Sequence, residues 1–399
     1  MDNTKAKDTW ISRYAKRYFV DALGAMAKGL FATLLVGTII WAVSTLIGMA
    51  LPAEGAELNF WQKLLWAVNV FLKAVSGVAM NNYVVGAAIG IAIAHGMKVA
   101  PLAVFSAAVT GAIGYCSGIV GDSAGAMQKA IGFVSSETNI IAGPIGAYIA
   151  AVVGAELGNL VAGKTKVDIL IVPLVSIFTG GLVGYLLGAP LAMLIKLIAR
   201  AIGSATSLAP IPMGIIVSVL VGWILTAPIS SAAICAMIFS QTMIDSLEPQ
   251  TAQGLMLAAG AATVGCCCQM IGFAVASFRE NKWGGLVSQG LGTSMLQVPN
   301  IVRHPAIMIP PTLAAAILGP IATTILPMQN VGINAGMGTC GLVGQIGTYI
   351  TMLGLGESWW LVTVKVLLLH IVLPAAIALG ASELMRKLGW IKKGDMLLD

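Results

Sequence analysis

The side chains best placed to hold a polar molecule fall in two glycine-rich stretches of an otherwise very apolar chain. GINAGMGTCGLVGQIGTYI, residues 332 to 350, sets Asn334, Thr339 and Gln345 among six glycines, including Gly336, Gly338 and Gly341. GGLVSQGLGTSMLQVPN, residues 284 to 300, carries Gln289, Thr293 and Asn300 in a short apolar segment that closes at a proline. Amides and hydroxyls offer donors and acceptors without charge, and a glycine beside them lets a backbone N–H approach a ligand. The chemistry this suggests is hydrogen bonding of a small polar molecule.

Ionisable residues inside apolar runs form a second group, because each costs at least about 2.5 kcal/mol if left in lipid. Glu156 lies within IIAGPIGAYIAAVVGAELGNLVAG, with Asn159 one turn further along the same face. Two readings fit it: a carboxylate that binds a proton, a cation or a substrate group, or a residue at a cytoplasmic helix end just before Lys164 and Lys166. Glu280 joins it as a coupling or substrate-pairing candidate, although its RENK run also reads as a cytoplasmic turn. Asp168 opens a span and suits a helix N-terminus whatever the protein does. Asp122 either lines the route or sits in a surface loop.

Several chemistries are unsupported. The chain has no Walker loop, GxSxG or HExxH motif, so no enzymatic activity of its own and no cofactor are expected. Cys266, Cys267 and Cys268 are adjacent, so on a helix they point about 100° apart and cannot share a metal alone. They read as small packing residues, and neither a metal nor a disulfide is expected.

The elements that must position these residues are membrane helices. Hydrophobic residues make up 58% of the 399, charged residues only 10%, and mean hydropathy is +0.92. An ordinary soluble domain has about 25% charged residues. The fold class is therefore all-α and polytopic, with room for about ten spans of roughly 20 residues. Runs of spanning length fall near 26–49, 61–79, 138–161, 168–190, 212–239, 254–278, 306–326 and 360–380. Shorter or interrupted ones fall at 84–115, 117–135, 282–298 and 332–350. Non-helical backbone at membrane depth is tolerated only where protein encloses it, which marks the last two as re-entrant hairpins. GLVSQGLGT (285–293) and GLVGQIGT (341–348) also echo each other, either by chance or as related elements facing one cavity.

Charge sets the topology. Lys5, Lys7, Arg13, Lys16, Arg17 and Lys28 lead the chain, and Arg386, Lys387, Lys392 and Lys393 close it, so both termini are expected in the cytoplasm. The first external loop, 51–60, has two glutamates and no Lys or Arg. The net charge of +6 is thus a topology signal and implies no nucleic-acid partner. No cleavable leader is evident. The expected division is a basic interfacial segment (1–22), one transmembrane domain (23–383) and a cytoplasmic tail (384–399).

Five blocks carry a family resemblance: DALGAMAKGLFATLLVGTII (21–40), KTKVDILIVPLVSIFTGGLVG (164–184), PMGIIVSVLVGWILTAPISSAAI (212–234), GFAVASFRENKWGGLVSQGLGTSMLQVPN (272–300) and the stretch 304–350. The last is the most specific, with IPPT, LGPIATT and GMGTCGLVGQIGT in order. Together they resemble the enzyme IIC-like (type 2) membrane proteins of the phosphotransferase system. That resemblance implies about ten helices with re-entrant hairpins, a homodimer in the bacterial cytoplasmic membrane, and alternating access. In such systems the substrate is a sugar and separate IIA and IIB phosphocarriers phosphorylate it. Nothing in the 399 residues could carry that relay, so the first expectation is a permease for a small polar metabolite without a phosphorelay of its own. The alternatives are a sugar permease component served by separate IIA and IIB proteins, and a non-transporting membrane sensor.

Overall fold

The computed structural model describes residues 14, 16–49, 51–52, 59–117, 142–227 and 231–398. Most of the basic leader, Asp122 with its segment, and both glutamates of the first external loop lie outside these residues. The described residues are helical almost throughout and contain no strand. Six helices are long and apolar enough to cross a membrane, or seven if the pair Phe60–Ala79 and Asn82–Gly96, bent by 55°, counts as one. Shorter apolar helices cover Pro101–Cys116, Pro210–Thr226 and Ser231–Asp245. A 17-residue helix reaches about 26 Å, short of a hydrocarbon core of about 30 Å.

The chain divides into two compact units, Met1–Met193 and Leu194–Asp399. In the first, α1 (Leu23–Leu30) and α2 (Val36–Met49) are joined by a π-helical turn, Phe31–Leu35. α3 (Phe60–Ala79) begins at a capping box in which Asn59 accepts from the Gln62 N–H and Gln62 accepts in return. The bend into α4 (Asn82–Gly96) is made by Asn81, which is extended and caps the new helix through the Tyr83 N–H. α3 is apolar and exposed along most of its length, Phe60, Trp61 and Phe71 above all, as a lipid-facing helix is. α5 (Pro101–Cys116) and α6 (Gly143–Val161) complete the bundle, with Gly90 against Ala107 and Gly114 against Gly146 so closely that a Cβ would strike backbone. α7 (Asp168–Leu208), which holds Pro173 and Pro190, belongs to this unit up to Met193.

The second unit is built around α11 (Pro249–Ala276), buried over most of its 28 residues. α8 (Pro210–Thr226) precedes it, followed by the short α9 (Ser231–Ile238) and α10 (Gln241–Asp245). α12 (Phe278–Val287) leads into the π-turn Ser288–Gly292 and α13 (Val298–Arg303). α14 (Ile309–Thr323), α15 (Val343–Gly354) and α16 (Trp359–Val366) follow, and a second π-turn, Leu367–Val372, joins α16 to α17 (Leu373–Lys387). α8, α14 and α17 pack on α11. Small residues set the spacing: Gly265 lies on the Ser218 backbone, and the Ser218 hydroxyl donates to the Ala315 carbonyl at 2.8 Å.

The chain beyond α17 folds back into the unit instead of trailing away. Ile391 and Met396 are buried with Phe273, Ala276, Ile307 and Met385. Arg386 clamps this end with a two-pronged pair to Glu280, at 2.9 and 3.0 Å, and donates also to the Ala276 carbonyl.

Candidate functional site

The stretch between α14 and α15 is laid directly on α11, and the sequence of each explains how. Met328 carbonyl meets Gly260, where any side chain would intrude. Two residues on, Asn330 is fully buried and donates to Thr263 Oγ1 at 2.9 Å, to Thr348 Oγ1 at 3.1 Å and to the Gly344 carbonyl at 3.3 Å. Its own carbonyl accepts from the Val331 N–H. One amide thus ties α11, the loop and α15 together. Further back, Lys365 on α16 donates to the Pro327 carbonyl at 3.1 Å while paired with Glu357. Asn330→Ala is expected to cost about 1–3 kcal/mol for the buried groups it leaves unpaired. Asn330→Asp, whose carboxylate would face the Gly344 carbonyl, costs more; thermal unfolding in detergent reads both.

The glycine-rich segment follows as a short 3₁₀ turn, Gly332–Gly336, and a glycine-kinked loop to Leu342. Gly336 rests on the backbone of Ser231, whose hydroxyl donates to the Gly336 carbonyl at 2.7 Å. Gly338, at φ +53°, lies against the backbone of Cys266 and Cys267. Cys266 and Cys267 are therefore the floor of the loop, as small side chains there allow, and Cys266, Cys267 and Cys268 form no disulfide among the described residues. Among the described residues no cluster of His, Cys, Asp and Glu could hold a metal. Leu342 has φ +61°, a left-handed conformation costing a branched residue about 1–2 kcal/mol. Strain of this kind collects at functional positions.

What the loop offers a ligand is neutral and only partly spoken for. No Asp, Glu, Lys, Arg or His occurs between Gly332 and Gly347. Gln345, 8% exposed, donates weakly to Cys267 Sγ at 3.5 Å, and its carbonyl oxygen is buried with no partner. Asn334, 7% exposed, lies against Gly347, and no side-chain hydrogen bond is found for it among the described residues. Thr339 is engaged, donating to the Gly290 carbonyl at 2.5 Å. Gly341, at φ +54°, stands in open space beyond Val343. The two glycine-rich stretches, 284–300 and 332–350, thus touch through Thr339 and Gly290.

The other polar residues of the second stretch serve a different neighbour. Gln289 is fully buried, donating to Ser277 Oγ at 2.8 Å and the Gly285 carbonyl at 3.0 Å, and its own carbonyl accepts from Gln297 at 2.9 Å. Gln297 reaches the Met396 carbonyl at 3.0 Å, and Asn300 reaches Gln297 and the Leu397 carbonyl at 2.9 and 2.8 Å. This amide chain straps Met396 and Leu397 to the 289–300 segment. Thr293 caps a 3₁₀ turn by accepting from the Met295 N–H. Glu280 is held by Arg386.

In the first unit Glu156 accepts from Arg17 Nε at 2.6 Å and from the Tyr18 hydroxyl at 3.2 Å. The hydrogen bond and the charge of this carboxylate hold the Arg17 guanidinium pKa above its ordinary value. Asn159 accepts from the Ala100 N–H at 2.8 Å, fastening the turn before α5. Asp168 accepts from Gly163 and Thr165, closing the turn before α7. Sequence reading missed Asn330 and assigned no role to Gln269, whose carbonyl is another buried orphan and whose amide lies 3.4 Å from Thr312 Oγ1. Their one signal is position: Asn330 two residues before the glycines, Gln269 directly after the cysteines.

Residues 20–398 match the family described as "Phosphotransferase system, EIIC". No curated protein matches the sequence.

Proposed function

The chain belongs to the phosphotransferase system EIIC family, the membrane transport component of that system, and from that premise we propose a permease that moves a small polar metabolite by alternating access. The ligand is held by the 332–342 loop and the first turn of α15, with Gln345 and Asn334 as hydrogen-bonding partners and the glycines admitting it to the backbone. The observation that carries this reading is the buried carbonyl oxygen of Gln345, unpaired among the described residues, in the first turn of α15 directly after the glycine-kinked loop. Leaving it unpaired costs about 1–3 kcal/mol, which a hydroxyl or N–H of the ligand would recover. A loop without ionisable groups favours a neutral ligand, a sugar among them.

The protein works as a homodimer in a bacterial cytoplasmic membrane with both termini inside. The motion shifts a ligand-bearing part against a fixed one. Family membership favours a second reading of the energy source, in which separate IIA and IIB phosphocarriers dock at the cytoplasmic face and the sugar is released phosphorylated. Purified protein in liposomes, offered a metabolite mixture without an energy source, separates the two. Uptake of an unmodified compound supports the first, whereas uptake only with a phosphoryl donor and soluble partners supports the second.

Residue substitutions test the site. Gln345→Leu is expected to lose uptake with little change in thermal stability, since it removes one weak contact to Cys267. Gln289→Leu is expected to lower stability first, because it breaks a satisfied buried amide chain. Normal transport by Gln345→Leu would sink the assignment of this loop.

A further inference from the structure

The permease reading leaves a buried titratable group unused. His370 sits in the π-turn Leu367–Val372, within the apolar helix Trp359–Lys387; it is fully buried, and among the described residues neither ring nitrogen has a hydrogen-bond partner. At four-residue spacing around it Val362, Val366, Pro374 and Ala378 are buried and apolar, so packing at this position does not call for histidine. A neutral imidazole has one N–H to donate and one nitrogen to accept, and burying both unpaired is unfavourable. The π-turn is the second observation: it interrupts the regular ladder of the helix at His370, and such turns recur at functional positions.

The surroundings say what the group could do. The turn packs on α11, and Leu369 beside it shares a cluster with Val264 and Cys268. Cys266 and Cys267, adjacent along α11, form the floor of the loop. No residue of α14 is ionisable, and between Val264 and Gly272 α11 offers only thiols. On His370's own helix the nearest charge is Lys365, already held by Glu357 and the Pro327 carbonyl. An imidazolium would therefore have no counter-ion in this packing.

We infer that His370 is a proton-binding site, neutral in this arrangement and protonated in one where the π-turn opens to water, so that its occupancy is linked through α11 to the movement of the loop. Protonation favours whichever arrangement hydrates the turn, and a ligand on the loop biases the same equilibrium from across α11. A proton is then the coupling ion of the transport cycle. That coupling rests on the permease reading; proton binding at His370 does not.

Histidine ring-nitrogen NMR of labelled protein in liposomes tests the site directly, because the chain has three histidines. The signals lost in His370→Gln identify His370, and if that variant does not fold, His95→Gln and His304→Gln identify it by elimination. The expected result is passage from the neutral to the imidazolium pattern between about pH 5 and 8; signals that stay neutral throughout overturn the inference. In the uptake assay with the metabolite mixture, an inward gradient of about one pH unit should raise accumulation about tenfold for one proton per neutral solute. His370→Gln should remove that gain and keep exchange. Uptake indifferent to the gradient overturns the coupling. A titrating His370 in a protein that transports nothing overturns the permease reading and leaves the proton site standing.

Discussion

Gly338→Ala is expected to abolish uptake and to lower thermal stability well beyond Gly341→Ala. Two costs coincide there. The backbone is left-handed, at φ +53°, which charges an L-residue about 1–2 kcal/mol. The new Cβ would also stand 2.8 Å from the carbonyl carbon and Cβ of Cys266 and 3.0 Å from the Cys267 nitrogen. Those atoms belong to the buried central helix, so the loop must lift, at a further cost of about 1–3 kcal/mol. Gly341→Ala is the control, because it shares the left-handed backbone, at φ +54°, and meets nothing nearer than Val343 Cγ2 at 3.8 Å. Equal shifts in melting temperature for the two would show that the loop does not rest on Cys266 and Cys267.

Arg386→Met is the second large loss. It strips a two-pronged partner from Glu280, whose side chain is 5% exposed against 11% for Arg386. Breaking one side of a buried pair typically costs about 3–5 kcal/mol, since the remaining charge stays buried, here with only the Gly394 N–H at 3.3 Å. Glu280→Met together with Arg386→Met removes both charges and is expected to recover most of the lost stability. A double-mutant cycle on thermal unfolding reads the difference, and additive losses would mean that the two side chains act independently.

What could be read from the sequence follows from which costs leave a mark in composition. Enclosing non-helical backbone demands glycine, so the loop over residues 332–342 was visible, and the structure gives it left-handed glycines at 338 and 341, whereas the second half of the expected hairpin, residues 343–350, is the start of α15. The packing reading of the cysteine run could be drawn from the angular spread of three thiols; its purpose as a floor for Gly338 needed the loop in place. The partners of Gln297 and Asn300 could not be read, because they are main-chain carbonyls 99 and 97 residues away, which any residue type can supply. Glu156 was legible as an unusual carboxylate, yet its partner Arg17 lies 139 residues earlier in a leader whose charges already had an explanation in topology. Asn330 escaped notice because one amide just outside the glycine stretch looks like any loop asparagine.

The strap formed by Met396 and Leu397 on Gln297 and Asn300 also orders events during synthesis. At about 5–20 residues per second, a contact across 99 residues becomes available roughly 5–20 s after Gln297 is made. Until then the amides of the 284–300 hairpin have no carbonyl partners from this segment. Premature release of the chain before residue 396 would leave them open to other acceptors, so quality control of this protein has a molecular marker in residues 396 and 397.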